Sequence, residues 1–474
     1  MKKIFVFSLV AFLVLTQSVP PAFAKEYDVI VNATGADSAN CERADLPGIF
    51  VTQDVCNVQE AVNNYPGGRI LLKGTFHFAT YDENGFVVPN TDGSVFITND
   101  VEIYGDRSGS NYRTSVKGGY FTFSIGLQPT AWDYHFSDEY FSSSASAVPV
   151  KVTVQDIEFD NSYYIPIRIW ATTGANILQN RILGGRSLSL EDFFGPGAHA
   201  AGYGIAIVPP AVFIDNSSEL LSGVIRIEDN YINGLYGPAE SGDPWGAPSY
   251  GVLTTGIPHN GIFALSYEAN IKVINNEVNN LGITGIHIGG NAGSVEIHKN
   301  SINMGNPSSS LQPFSAGISV WAQYFFDGSE TTIASITKNE IVLAETPDSR
   351  GITISEVRTG PVVTDNVIAL SSPSGIGIST ENTTFAEIRK NRLSGLAKRG
   401  VELLFFDWDE PDYASLADGN NVESNKLVGL STSEADYYLG EGVTNNYLYV
   451  KKEAAVIDDS GNDTNLLIRY GGDK

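Results

Sequence analysis

Cations are scarce in this sequence: 29 lysines and arginines stand against 54 aspartates and glutamates, a formal net charge of −25. So acidic a surface repels phosphate backbones and anionic headgroups, which counts against nucleic acid and anionic membrane as partners. It suits an exported protein kept soluble by its charge. Cysteine is nearly absent, Cys41 and Cys56 being the two in the chain. Two thiols are too few for a structural zinc site. Close in sequence and bound for an oxidising compartment, they are expected to form a disulfide. Long apolar runs are missing beyond the first residues, and none reaches the roughly 20 residues of a membrane span. The run that exists, residues 4–15, follows Lys2-Lys3 and leads to Ala22-Phe23-Ala24. A basic head, a greasy middle and a small-residue exit make a secretory signal, expected to be cleaved after Ala24 and to send the chain to the periplasm or the medium. Gly-x-Ser-x-Gly, His-Glu-x-x-His, a phosphate loop and Cys-x-x-Cys are all missing. Ser335-Ile-Thr-Lys338 matches Ser-x-x-Lys by form alone.

What the chain has in abundance is glycine, 48 residues, with 42% apolar content, a balance that suits a turn-rich β protein better than a helical one. Its organisation is a repeat. The pattern [Ile/Val]-x-x-Asn-x-[Ile/Val/Leu] occurs at Asn180, Asn230, Asn276, Asn300, Asn339, Asn366, Asn391 and Asn425, with spacings of 24, 27 and 25 where the array is cleanest. A small residue followed by alternating apolar positions precedes most of them, as in Gly285-Ile-His-Ile, Gly317-Ile-Ser-Val, Gly351-Ile-Thr-Ile and Gly375-Ile-Gly-Ile. Several strands in a period near 24 exclude helical repeats and point to a coil of stacked strands, apolar residues inward and the intervening residue outward. An asparagine at each bend supplies a turn-tolerant backbone and an amide able to bond its copies above and below.

This repeat resembles the right-handed parallel β-helix proteins of the pectate-lyase-like superfamily. "VQEAVNNYPGGRILLKGTFHF" (residues 58–78) resembles their opening, a cap helix over 58–64, a Pro-Gly-Gly turn and a first strand ending at Gly74; "AAVIDDSGNDTNLLI" (454–468) is similar to their closing strands. The resemblance implies an all-β, single-stranded right-handed parallel β-helix with an N-terminal cap helix. The expected organisation is a signal peptide at 1–24, cap and first strands at 25–95, the β-helix at 96–450 and closing strands at 451–474.

It also implies a groove over the outer face of one stacked sheet, which directs attention to outward positions of the glycine strand. Position three gives Arg168, Ala206, Phe263, His287, Ser319, Thr353, Gly377 and Glu402; position five gives Trp170, Val208, Leu265, Gly289, Trp321, Ser355, Ser379 and Leu404. Aromatic faces stack on the C–H faces of sugars while amides and charges read hydroxyls or carboxylates. Trp170, Arg168, Phe263, Trp321, Gln323, Tyr324 and Glu402 are therefore the candidate substrate-binding residues. His287 and Tyr267 form one candidate acid–base pair, and Arg358 near Glu356 a candidate base or clamp, since related lyases use arginine or lysine in that way. Asp407, Asp409, Glu410 and Asp412 are four carboxylates within six residues, a candidate Ca²⁺ loop. An acidic solvated loop, and an outer strand face filled for packing alone, are the competing structural readings.

Two functions of different class stay open. One is an exported carbohydrate-active enzyme, a polysaccharide lyase on an acidic glycan before a glycoside hydrolase or epimerase. The paired-aspartate, Gly-His-Gly and Arg-Ile-Lys signatures of polygalacturonases and the Asp-Pro-His-Asp signature of mannuronan epimerases are missing. The other is a non-catalytic glycan-binding or adhesion β-helix. Oligomeric state is not legible.

Overall fold

The computed structural model describes residues 26–470 except 36–40, 45–46, 81–92, 120, 129–145, 163–164, 185–187, 190–198, 201–202, 208–219, 234–249, 255–268, 281–283, 290–292, 305–314, 322–332, 344, 347, 407–416, 452–455 and 461–463. The expected signal segment and Ca²⁺ loop thus lie outside the described residues, as do Phe263, Tyr267, Gln323 and Tyr324.

One turn of the coil shows how the sequence builds it. The strand Thr284–Gly289 carries the glycine motif, Ser294–His298 leads to the bend, Lys299-Asn300 makes the bend, and Ser301–Asn303 follows it before the next glycine strand, Ser315–Trp321. Each strand pairs in parallel with its counterpart one turn on, so three parallel sheets rise side by side: a pre-bend sheet, a post-bend sheet and a glycine sheet. The chain is a right-handed parallel β-helix, the hand that parallel crossovers take. Its first pairing is Val29–Asn32 with Arg69–His77 and its last Tyr447–Lys451 with Leu466–Tyr470.

The interior is columns of like residues. Ile177, Ile227, Val273, Ile297, Ile336, Val363, Ile388 and Val422 stand in register on the pre-bend sheet, all buried. Ile182, Ile232, Val278, Ile302, Ile341, Ile368 and Leu393 do the same on the post-bend sheet. Fully burying such a side chain contributes about 1.5–3 kcal/mol, and β-branched residues fit the pleat.

The eight expected asparagines form one continuous ladder. Asn276 illustrates it: its Oδ1 accepts from Asn230 N and Nδ2 at 3.0 Å each, while its own Nδ2 donates to Asn300 Oδ1 at 3.0 Å and to Ile227 O at 2.9 Å. A primary amide has two donors and two acceptor sites, so each interior rung is saturated. The residue before each asparagine takes left-handed backbone, Lys299 at φ 56° and Lys390 at φ 58° among them, which turns the corner. A second ladder, not apparent in the repeat, runs through Asn420, Asn446 and Asn465 at the entrance to the last pre-bend strands.

The glycines answer to space. A Cβ on Gly285 would sit 2.6 Å from both the Gly317 carbonyl oxygen and Ile302 Cγ2, and the same kind of crowding recurs at Gly317 and Gly351. The register also corrects two rungs. Thr353 pairs with Ser379 and Ser355 with Glu381, so the glycine of that strand is Gly377 rather than Gly375. The place expected for Phe263, between Ala206 and His287, is held by Leu253.

The helix capping the lower end spans Gln53–Asn64, five residues earlier than expected, because the Thr52 hydroxyl caps it by accepting from Val55 N at 3.4 Å. It buries Val55, Val58, Ala61 and Val62 against the first rungs. Asp54 accepts from Thr34 N at 2.7 Å and His77 N at 2.8 Å, and Gln59 Nε2 donates to Phe96 O at 2.8 Å, which satisfies the edge beneath the helix. Cys41 and Cys56 are joined, fastening this helix to the strand Cys41–Glu42.

Removing one amide should orphan buried partners on two rungs. Asn300→Ala is expected to lower unfolding free energy by about 3 kcal/mol or more, whereas Ala at exposed Asn303 should change it by less than about 0.5. Gly317→Ala should cost about 1–3 kcal/mol by overpacking. Urea melts of the three variants check these values.

Candidate functional site

The third positions of successive glycine strands stand in one row in register: Ser124, Arg168, Ala206, Leu253, His287, Ser319, Thr353, Ser379, Glu402 and Tyr438. Two residues further along lies a second row, Gly289, Trp321, Ser355, Glu381 and Leu404. Rungs stand about 4.8 Å apart, so the second row spans about 20 Å. Polar residues dominate the upper half of both rows, on a sheet whose inward neighbours are aliphatic.

Trp170 beside the lower end of the row and Glu402 near its upper end are closed to solvent. Trp170 is completely buried, its indole N–H donated to Ser124 Oγ at 2.9 Å, and the Arg168 guanidinium lies 3.4 Å from the centre of its ring. This corrects the expectation of a stacking platform at Trp170 and Arg168, since a sugar needs an exposed ring face. Glu402, also expected to touch substrate, is buried at 1% exposure. Its Oε1 accepts from Ser379 Oγ at 2.7 Å and its Oε2 pairs with Arg399 at 2.9 Å. Arg399 reaches Glu434 at 2.8 Å and stacks 3.5 Å from the Tyr438 ring. A charge taken out of water is tolerable when paired in this way.

Between these ends the face is half-open at His287, Ser319, Trp321, Ser355 and Glu381. Glu381 is ion-paired with Arg350 through one carboxylate oxygen and accepts from Ser355 Oγ at 2.8 Å through the other. Trp321 neighbours Ser355 in register, with the bare backbone of Gly289 on its other side. At the corner leaving this sheet, Glu356 has left-handed backbone at φ 59° and donates its N–H to Glu381 O at 2.8 Å. The Arg358 carbonyl accepts from Thr384 Oγ1 at 3.0 Å. The structure thus brings Trp321, Glu356 and Arg358 onto adjacent rungs, with His287 one rung below Ser319. Sequence reasoning passed over Arg350, Glu381 and Arg399. The sign available was an Arg or Glu two or three residues from a glycine-strand position already singled out.

Burial pushes the His287 imidazole from 6.5 down to about 4, so at neutral pH it is uncharged. That departs from the expectation of an acid–base group near its working pH. Among the described residues no group of three His, Cys, Asp or Glu is placed to hold a metal ion. No helix among them is long and apolar enough to cross a membrane.

Because the unfolded chain protonates this histidine at higher pH than the folded one, its contribution to stability is complete above about pH 6.5 and declines as the pH falls toward 4. NMR titration should show one imidazole, missing from His287→Gln, with its midpoint near pH 4. The pH dependence of the thermal midpoint between 4 and 6.5 should be flatter in that variant. A midpoint near 6.5 for His287 would contradict the burial argument.

No protein-family model matches the chain, and no curated protein is similar to it in sequence. Among solved structures, the catalytic unit of an alpha-1,3-glucanase from Streptomyces thermodiastaticus is similar over 93% of this chain and 68% of its own, at 12% identity and a TM-score of 0.43. A lacto-N-biosidase from Eubacterium ramulus is similar over 94% and 68%, at 14% identity and 0.41. A periplasmic alginate epimerase is similar over 94% and 83%, at 10% identity and 0.33. By the register of its own strands, the chain is a right-handed parallel β-helix protein.

Proposed function

We propose that the protein is exported and acts on a glycan held along the outer face of its glycine sheet. The observation that carries this reading is the half-open stretch around Trp321, where an indole, two serine hydroxyls, an imidazole and a carboxylate share one face of adjacent rungs. Aromatic rings pair with the C–H faces of sugars, and fixed polar groups read their hydroxyls. Export is supported by the Cys41–Cys56 disulfide together with the leader-like composition of residues 1–24.

Two chemistries fit the face differently. Eliminative cleavage of an acidic glycan needs a base and a cation at the substrate carboxylate. Arg358 would serve as base or clamp, and Ca²⁺ held by Asp407, Asp409, Glu410 and Asp412 would supply the cation. Hydrolysis would need two carboxylates open to the substrate, and here Glu381 is half-open whereas Glu402 on the next rung is buried and held by Arg399 and Ser379.

Titration against an oligosaccharide panel, followed by indole fluorescence, tests the reading. At least one glycan should bind, and Trp321→Ala should weaken it about ten-fold or more, or about 1.4 kcal/mol. Turnover of that glycan with new ultraviolet absorbance marks elimination. New reducing ends without it mark hydrolysis, and binding without either marks an adhesin-type protein. A folded Trp321→Ala variant with unchanged affinity would place the glycan elsewhere.

A further inference from the structure

We infer that the glycan is neutral rather than a uronate, an inference that rests on the glycan reading above and names its substrate class. A groove selective for uronates must offer positive charge that the substrate can use. Here the guanidinium beside the open stretch, Arg350, is already paired with Glu381, and the next one up, Arg399, is held between Glu402 at 2.9 Å and Glu434 at 2.8 Å. Lys398 lies 3.3 Å from Glu434 as well. Arg168, lower in the row, is buried against Trp170. The corner carries Glu356 and Arg358, one charge of each sign. Among the described residues the cations nearest the open stretch, Arg350 and Arg399, are thus each held by a carboxylate, inside a chain whose net charge is −25.

A uronate reaching Arg350 would have to displace Glu381 and leave two carboxylates competing for one guanidinium. Like charges brought together in a partly desolvated site are rejected, and such juxtaposition is how binding sites exclude wrong partners. A neutral sugar meets no such penalty. Its C–H face can lie on Trp321, where Gly289 in the same row leaves the neighbouring position without a side chain. Its hydroxyls can donate to the Glu381 carboxylate and exchange bonds with Ser319 and Ser355.

The test is calorimetric titration of the full chain with matched neutral hexasaccharides (cello-, xylo- and manno-) and uronate hexasaccharides (oligogalacturonate and oligomannuronate), each with Ca²⁺ and with chelator. At least one neutral ligand should bind through Trp321, and both uronates should bind about ten-fold more weakly or worse in either buffer. Glu381→Gln, checked for folding by its thermal midpoint, removes the negative charge beside Arg350 and should raise uronate affinity about ten-fold. Uronate binding as tight as the best neutral ligand, in either buffer, would overturn the inference, as would a folded Glu381→Gln variant without the gain. If that variant does not fold, the wild-type comparison decides alone. Tight uronate binding lost in Trp321→Ala would leave the glycan reading standing while this inference falls. Binding of neither class would end both.

Discussion

The side-chain amide of asparagine is the interaction on which the rest of this molecule depends. At each interior bend it saturates all of its hydrogen bonds with the rungs above and below, and so fixes where one turn of chain sits on the next. An unsatisfied amide in that position would cost about 1–3 kcal/mol per orphaned group, and a slipped rung would orphan several at once. With the bends locked, the isoleucine and valine columns follow, and so does the close backbone approach that only glycine allows at Gly285, Gly317 and Gly351. The outward rows inherit their alignment from this inner order. A flat face with side chains repeated every rung is a consequence of how the interior is hydrogen-bonded.

Much of this was legible from residues alone, because the amides and their apolar neighbours recur in a fixed local order. The misplacements are equally physical. Gly375-Ile-Gly-Ile and Gly377-Ile-Ser-Thr both satisfy alternation, since a shift of two residues keeps every side chain on its face, and hydrogen bonding alone separates them. The strand at Tyr250–Thr254 lacks the isoleucine of its neighbours, whereas Gly261-Ile-Phe-Ala, ten residues later, matches the repeat. The second ladder shows itself only as Asn420, Asn446 and Asn465, each two residues before a buried or core-facing aliphatic position, a pattern too short to register without the first. Burial of Trp170 was out of reach, because period-two alternation says which way an indole points and nothing about what lies over it.

The outer face shows the same economy as the interior. The buried Glu402 is paired with Arg399 and bonded to Ser379, which makes the upper end of the row rigid rather than reactive. Where the face opens, around Trp321, the groups are those suited to ring faces and hydroxyls. The tyrosines Tyr447 and Tyr449 on the pre-bend sheet are exposed too, at 53% and 38%. They lie at the last rungs, on another side of the coil, without the serine, imidazole and ion-paired carboxylate that accompany Trp321. Their company on the rung below is Asn421 and Glu423, so what distinguishes the two places is the serine hydroxyls and ion-paired Glu381 on the rungs beside Trp321.

That contrast allows the central claim, that the glycine sheet is the recognition face, to be examined directly by hydroxyl-radical footprinting. With a saturating oligosaccharide present, mass spectrometry should show reduced oxidation at Trp321 and unchanged oxidation at Tyr447, Tyr449 and the exposed Phe385. Protection at Tyr447 and Tyr449 with Trp321 left reactive would contradict the account and move recognition to the pre-bend sheet.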